Sequence, residues 1–229
     1  MVVVIGDVHG CLHTLQELVN KIRSLYPPVP LYCVGDLIDR GNFSFEVLEF
    51  VNREGIKFTP GNHDYMFYYF IKKPATNMGA SWIYNGFEKT ISSYDNRFDK
   101  ISEHLDLISQ APLFYNLPDC FICHAGISEY FKSALGKEPL RNIDKLDEEM
   151  KKSISSEHGI LWTRDGLMNL GKLQIVGHTR KQEVTYQKWN NVAYIDTSVY
   201  TCNKLSAVII DEGEIIAKHS VPTSNKDID

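Results

Sequence analysis

Short apolar runs alternate with polar, glycine-flanked loops through the first quarter of the chain. Val2 to Ile5 reads as a buried strand, and Asp7 to Cys11 as its exit loop. Leu12, Leu15, Leu18, Val19, Ile22 and Leu25 recur at helical spacing and predict an amphipathic helix over 13–25. Tyr26-Pro27-Pro28 ends it, because proline cannot continue the backbone ladder. Leu31 to Val34 predicts a second strand, followed by the polar loop Gly35 to Asn42. Phe45, Leu48 and Val51 suggest a second helix, and Ile56 to Thr59 a third strand that feeds Gly61-Asn62-His63-Asp64. Strand, polar loop and helix in repeated order imply parallel strands joined by crossover helices, hence an α/β fold. The same order puts all three loops at the C-terminal ends of strands, the usual ligand edge.

The pattern loosens further on. Residues 65–72 and 97–109 are expected to be helical, with a loop-rich insertion over 74–96 between them. Leu113 to Leu117 and Cys120 to Cys123 pair across Pro118-Asp119, and the second ends in His124-Ala125-Gly126. A charged helix over 144–156 precedes the apolar strand Leu173 to Val176, which exits into Gly177-His178-Thr179-Arg180. Val184 to Trp189, Val192 to Asp196, Leu205 to Ile210 and Glu214 to Ser220 read as a second, mostly antiparallel sheet. One catalytic domain over 1–222 is expected, with a frayed polar tail at 223–229.

Composition narrows the function classes. The chain has 229 residues, 43% of them hydrophobic, which suits a single domain with a sizeable core. With 24 Lys plus Arg against 29 Asp plus Glu, the formal charge of -5 argues against duplex nucleic acid or anionic membrane as partner. Neither an export signal nor a spanning segment is evident, so a cytoplasmic location is expected. Five cysteines at irregular spacing make a poor disulfide framework. Cys120-Phe121-Ile122-Cys123-His124 matches the c-type haem attachment pattern by chance, since it lies in an apolar run.

The strand-exit loops carry Asp7, His9, Asp36, Asp39, Asn62, His63, His124 and His178. Carboxylate, imidazole and amide oxygen are donors to divalent ions. Three converging carboxylates without a cation would repel one another. A bridging carboxylate can hold two ions as a pair, so a dinuclear centre is expected. His13, His104, His158 and His219 lack this loop context.

The blocks Gly6-Asp7-Val8-His9-Gly10, Gly35-Asp36-Leu37-Ile38-Asp39-Arg40-Gly41, Gly61-Asn62-His63-Asp64, His124-Ala125-Gly126 and Gly177-His178-Thr179 resemble the calcineurin-like metallophosphoesterases. Within them the chain looks closest to the phosphoprotein phosphatase branch. That branch includes small bacterial and phage serine/threonine phosphatases and symmetrical diadenosine tetraphosphate hydrolases. The resemblance implies a four-layer α/β/β/α sandwich. It implies that Asp7, His9 and Asp36 hold one metal, and Asp36, Asn62, His124 and His178 the other. By the same resemblance His63 is the general acid, Asp39 orients it, and Arg40 and Arg164 grip phosphoryl oxygens. The ions are expected to be manganese, with iron, zinc or nickel as alternatives.

Two departures stand out. Pro60 occupies the place where many protein phosphatases of this branch have arginine, with Arg180 as a replacement candidate, and Asp64 stands where many have glutamate. Asp64 is common in the diadenosine tetraphosphate hydrolases, but Asp39-Arg40, Gly177-His178-Thr179 and the short chain favour a serine/threonine protein phosphatase acting on phosphoprotein or phosphopeptide. The alternative is a symmetrical dinucleoside polyphosphate hydrolase, and a minor one is a non-catalytic module that binds phosphoprotein. Tyr65, Phe67, Tyr68, Tyr69 and Phe70, with Trp82, Tyr84 and Phe87 in the insertion, are expected mainly to pack, though some could line a base-binding surface.

Overall fold

The computed structural model describes residues 1–228. Ten strands form two five-stranded sheets. The strands are β1 (Val2–Ile5), β2 (Leu31–Cys33), β3 (Lys57–Phe58), β4 (Phe114–Asn116), β5 (Phe121–Cys123), β6 (Gln174–Val176), β7 (Thr185–Gln187), β8 (Val192–Tyr194), β9 (Lys204–Asp211) and β10 (Glu214–Pro222). The helices are α1 (Leu12–Leu25), α2 (Ser44–Arg53), α3 (Asn62–Lys72), α4 (Asn77–Ser81), α5 (Phe87–Tyr94), α6 (Ile101–Gln110), α7 (Lys132–Leu135) and α8 (Ile143–Lys152).

The first sheet runs β10-β9-β1-β2-β3 and the second β4-β5-β6-β8-β7. Each contains three parallel strands in a row: β1, β2, β3 in one and β5, β6, β8 in the other. The last four strands therefore do not form a sheet of their own. β9 and β10 extend the first sheet antiparallel to β1, whereas β8 lies parallel to β6 and only β7 reverses.

Three apolar clusters separate four layers. Period-two alternation sends Val2 and Val4 of β1 between the sheets, where they meet Ile122, Ile175, Ala193, Val208 and Ile210. Val3 and Ile5 face the other way, onto Leu15, Leu18 and Ile22 of α1 and Leu48 and Val51 of α2. On the far side, Phe121, Cys123, Val176 and Val192 pack under Leu146 and Met150 of α8. Strands buried on both faces explain the continuous apolar runs of the sequence. No helix among the described residues is long and apolar enough to cross a membrane.

Two segments differ from expectation. Residues 74–96 are more helical than their Gly, Asn and Pro content suggests, since they contain α4, a single turn at Trp82–Tyr84, and α5. The residues from 223 onward are tied down over their described part. Asp227 is fully buried and accepts the His13 and Thr14 backbone N–H groups at 2.9 Å each and the Thr14 hydroxyl at 2.6 Å. It thereby caps α1, whose own N-cap residue Cys11 supplies no side-chain bond. The backbone carbonyl of Asp227 also accepts the Asn42 N–H at 2.8 Å. Asp229 lies outside the described residues.

Candidate metal centre

The C-terminal ends of the parallel strands converge on one cavity of about 410 Å³. Its lining includes Asp7 and His9 after β1, Asp36 and Arg40 after β2, Asn62 and His63 at the start of α3, and His178 after β6. Arg164 completes the predicted set on the wall. Asp39 and His124 stand just behind, bonded to His63 and Asn62 respectively. α3 begins at Asn62, earlier than the apolar pattern suggests, because Asp64 Oδ2 accepts the Gly61 N–H at 2.8 Å and caps the first turn. Asp64 Oδ1 also accepts the Leu37 N–H at 3.0 Å, so one carboxylate ties the second loop to the third. Burial, reinforced by the charge of Asp36, pushes the Asp64 carboxyl up to about 7.

Close approach fixes the loops. A Cβ on Gly177 would sit 1.9 Å from Asp7 Oδ1, and one on Gly61 2.0 Å from Asp36 Oδ1. His9, Asp36, Asp39, Arg40 and His178 all adopt positive φ, between 46° and 74°. Such conformations cost non-glycine residues about 1–3 kcal/mol each and concentrate at functional sites.

Two donor clusters share Asp36. His9, Asp36 and His63 offer atoms within 4.8 Å of one another, and so do Asp36, His124 and His178. Asp36 Oδ2 lies 3.6 Å from both His9 Nε2 and His124 Nε2, a position suited to bridging. Asn62 Oδ1 approaches His124 Nε2 at 3.0 Å and His178 Nδ1 at 2.9 Å. Ligands about 2.0–2.2 Å from one ion lie about 3–3.6 Å apart, so these spacings suit pairs of donors to the same ion. His9 Nδ1 and His124 Nδ1 each face a backbone carbonyl, Ile38 at 3.1 Å and Val34 at 2.8 Å, which turns Nε2 toward the cavity. Burial lowers the pKa values of His9, His124 and His178, to about 3 for His9 and His178, and keeps the rings neutral as metal ligation requires.

The carboxylates also call for a cation. Asp7, Asp36 and Asp196 are each only 2% exposed, and Asp7 Oδ1 has no hydrogen-bond partner. Burial, then the charges of Asp196 and Asp36, push the Asp7 carboxyl well above the usual range. Burial likewise pushes Asp196 up to about 6. Divalent ions would offset this repulsion, so the donor set fits a dinuclear divalent-metal centre. Neither three-residue cluster contains Asp7. Its Oδ2 accepts the His178 N–H at 3.0 Å, which holds it on the same wall.

His63 belongs to a cluster by distance, but its electrostatics differ from those of its neighbours. Burial opposes charge on the ring, yet Asp36 and Asp39 outweigh it and raise the pKa. His63 Nδ1 meets Asp39 Oδ2 at 2.6 Å. A ring favoured as imidazolium is a proton donor and a poor metal ligand. Asp39 is itself fixed by Thr90 Oγ1 at 2.6 Å and by Trp82 Nε1 at 3.1 and 2.9 Å. Trp82 is fully buried in this role and lines no base-binding surface.

Sequence reasoning missed Asp196 and Tyr200. Asp196 follows β8 at the same edge as His124 and His178, and only the antiparallel reading of that strand hid it. Tyr200 packs edge-on against His9, with ring centroids 4.8 Å apart. The Arg40 and Arg180 guanidinium carbons lie 5.3 and 5.8 Å from its centroid. Arg180 Nη1 donates to the Tyr200 hydroxyl at 3.1 Å. Buried Arg40 Nε has no partner, and Arg164 Nη1 makes only a long 3.4 Å contact with the His178 carbonyl. The cysteines are all free, and Cys120 and Cys123 are buried.

Comparison with known proteins agrees with this geometry. The family described as Calcineurin-like phosphoesterase matches residues 1–200. An asymmetrical bis(5′-nucleosyl)-tetraphosphatase of Bacillus cereus strain Q1 is 30% identical over 244 aligned positions, covering 96% of this chain and 94% of its own. One from Halalkalibacterium halodurans is 33% identical over 154 positions, 58% of this chain and 60% of its own. The relatives are named asymmetrical, which corrects the expected likeness to symmetrical hydrolases. They also move the reading away from the protein phosphatases. A crystal structure of a proposed diadenosine tetraphosphatase superposes with TM-score 0.64 at 22% identity, covering 98% of this chain and 94% of that one. A cold-active protein-tyrosine phosphatase of a Shewanella species gives the same 0.64 at 17% identity, covering 97% and 80%, so these superpositions speak for the fold alone. A family match that spans the cavity's ligand-bearing loops, with two His/Asp clusters joined at Asp36, makes the chain a member of the calcineurin-like phosphoesterases and a metal-dependent phosphoric ester hydrolase.

Proposed function

We propose that this chain hydrolyses dinucleoside tetraphosphates, cutting the phosphate chain into unequal parts. The observation that carries this reading is the set of three arginines, Arg40, Arg164 and Arg180, on the wall of one metal-binding cavity. A single phosphoryl group has three free oxygens, and one or two guanidinium groups suffice to grip it. A third suits a substrate whose charge runs on through further phosphates. Arg180 also supplies the positive charge that Pro60 does not. The relatives' activity points the same way.

In this reading Asp7, His9, Asp36, Asn62, His124 and His178 would hold two divalent ions. Manganese is the proposed metal, since mixed nitrogen and oxygen donors accept it. When bound, the ions supply Lewis acidity, lowering the pKa of water and offsetting phosphoryl charge. The chain's own residues do the rest. Arg40 and Arg164 orient the attacked phosphoryl group, and Arg180 holds the next phosphate. Tyr200 lies beside both Arg40 and Arg180, and its hydroxyl accepts from Arg180. His63 carries a proton on Nε2 toward the departing oxygen while Asp39 stabilises the charged ring.

The test is kcat/KM of the manganese-loaded protein on diadenosine tetraphosphate and on a phosphoserine peptide, with Asp36→Asn as blank. Anion-exchange separation identifies the products. The expected result is mono- and triphosphate in equal amounts, and a preference for the dinucleotide of about tenfold or more, or about 1.4 kcal/mol. A tenfold preference for the peptide, or diphosphate as the sole product, overturns the proposal.

A further inference from the structure

A second cavity, of about 620 Å³, adjoins the metal-binding one and shares Trp162 and Arg164 with it. Its own walls include Asn77, Met78 and Ser81 of α4 on one side and Ser155, Glu157 and His158 on the other. We propose that this cavity is a nucleoside subsite, and that it receives the nucleoside standing one phosphate away from the bond that breaks. The proposal rests on the tetraphosphatase reading above and deepens it.

Three observations support it. The first is position. A tetraphosphate cut unequally leaves one nucleoside a single phosphate from the broken bond, whereas an equal cut leaves both two phosphates away. Trp162 and Arg164 stand where the two cavities meet, so a phosphate beside Arg164 puts its nucleoside directly into the second cavity.

The second is the sorting of charge. Arg40 and Arg180 line the metal-binding cavity and not the second, while Glu157 and Asp165 line the second and not the metal-binding one, whose own carboxylates Asp7, Asp36 and Asp196 belong with the proposed ions. Phosphates are repelled from a wall with two carboxylates. A neutral base and ribose are not, and ribose hydroxyls can donate to Glu157. The third is chemistry. Met78 is 6% exposed and offers an apolar floor. The buried Trp162 indole N–H has no partner. Asn77, Ser81 and His158 add polar groups of the kind that read a base edge. His158 is held in place by Asp165 at 2.8 Å and by stacking on Tyr130, with centroids 4.2 Å apart. A volume of this size lies within the range of about 300–1,000 Å³ usual for small-ligand sites.

The test is titration calorimetry of the manganese-loaded protein with adenosine 5′-monophosphate and, separately, inorganic phosphate. Ser155→Trp fills the cavity from an exposed position that touches none of the metal-ligand candidates. The wild type is expected to bind the nucleotide at least tenfold more tightly than phosphate. Ser155→Trp should abolish that advantage and leave phosphate affinity within twofold. If Ser155→Trp weakens both ligands, Asn77→Ala decides: loss confined to the nucleotide supports the subsite, and equal loss or none overturns it. Equal wild-type affinities, or an advantage that survives Ser155→Trp, also overturn it. A nucleotide preference in a protein that does not turn over diadenosine tetraphosphate would refute the tetraphosphatase reading and leave the subsite standing.

Discussion

Replacing Asp39 by Asn separates the proton-donor role of His63 from metal binding. The Asp39 carboxylate is completely buried and takes the His63 ring at 2.6 Å, the Thr90 hydroxyl at 2.6 Å and the Trp82 indole. Asparagine keeps one oxygen for Thr90 and Trp82, but removes the negative charge that favours imidazolium. A buried hydrogen bond to a charged group is worth about 1.5–3 kcal/mol. At about 1.4 kcal/mol per pKa unit, the His63 pKa should fall by about 1–2 units. The wild-type ring titrates above its usual value, so activity that needs the proton persists below that pH and is lost as pH rises through it. The variant moves this alkaline limb of kcat/KM to lower pH by the same amount. Alkyl phosphates, whose leaving oxygen must be protonated, should lose about 10–100-fold above the limb. p-Nitrophenyl phosphate, whose leaving group departs as a stable anion, should lose less than about threefold. Metal content by elemental analysis should be unchanged. An unmoved limb, or equal losses on both substrates, would refute the assignment of His63.

Removing metal by chelation should lower the melting temperature, because it leaves Asp7, Asp36 and Asp196 buried together. At a hundredfold excess over Kd, one ion contributes about 2.7 kcal/mol, which is about 5–10 °C for a chain of this length; an unchanged midpoint would exclude a structural part for the ions. Asp227→Ala strips a buried cap from α1 and should cost about 2–3 kcal/mol in urea unfolding. A loss under about 0.5 kcal/mol would show that water replaces the cap. His104 accepts the Tyr94 hydroxyl at 2.7 Å and meets Glu49 at 2.8 Å, and burial lowers its pKa. The folded state thus disfavours the added proton, and its contribution to stability is present above the unfolded pKa and lost as pH falls below it. His104→Gln should flatten the decline in unfolding free energy between pH 7.5 and pH 5.5; a parallel decline in both proteins would assign it to other groups.

The first sheet's ligand loops were legible because each follows an apolar strand and changes polarity abruptly. His124 and His178 could be read for the same reason. Asp196 obeys the rule as well, yet the turn residues Asn190-Asn191 signalled a hairpin and hid the parallel pairing of β8 with β6. Local pattern identifies a strand, but it does not say which neighbour the strand chooses. Trp82 and Thr90 were unreadable as partners of Asp39, since the contacts span 43 and 51 residues. Asp227 was hidden because a short polar run with no periodicity looks frayed until its distant helix end is known. The protein phosphatase expectation rested on chain length and on block spelling, which is shared by relatives with different leaving groups.

The pairing of β9 with β1 sets an order of assembly. All six proposed metal ligands precede residue 204, so they leave the ribosome before β9, the strand that covers the free edge of β1. Until β9 arrives, β1 is an open edge carrying Asp7 and His9, and such edges invite pairing with other chains. A partly synthesised chain therefore presents all six proposed donors on an unfinished scaffold. Metal captured at that stage would join the two halves early and favour the correct sheet order, whereas metal scarcity would leave the edge exposed for longer.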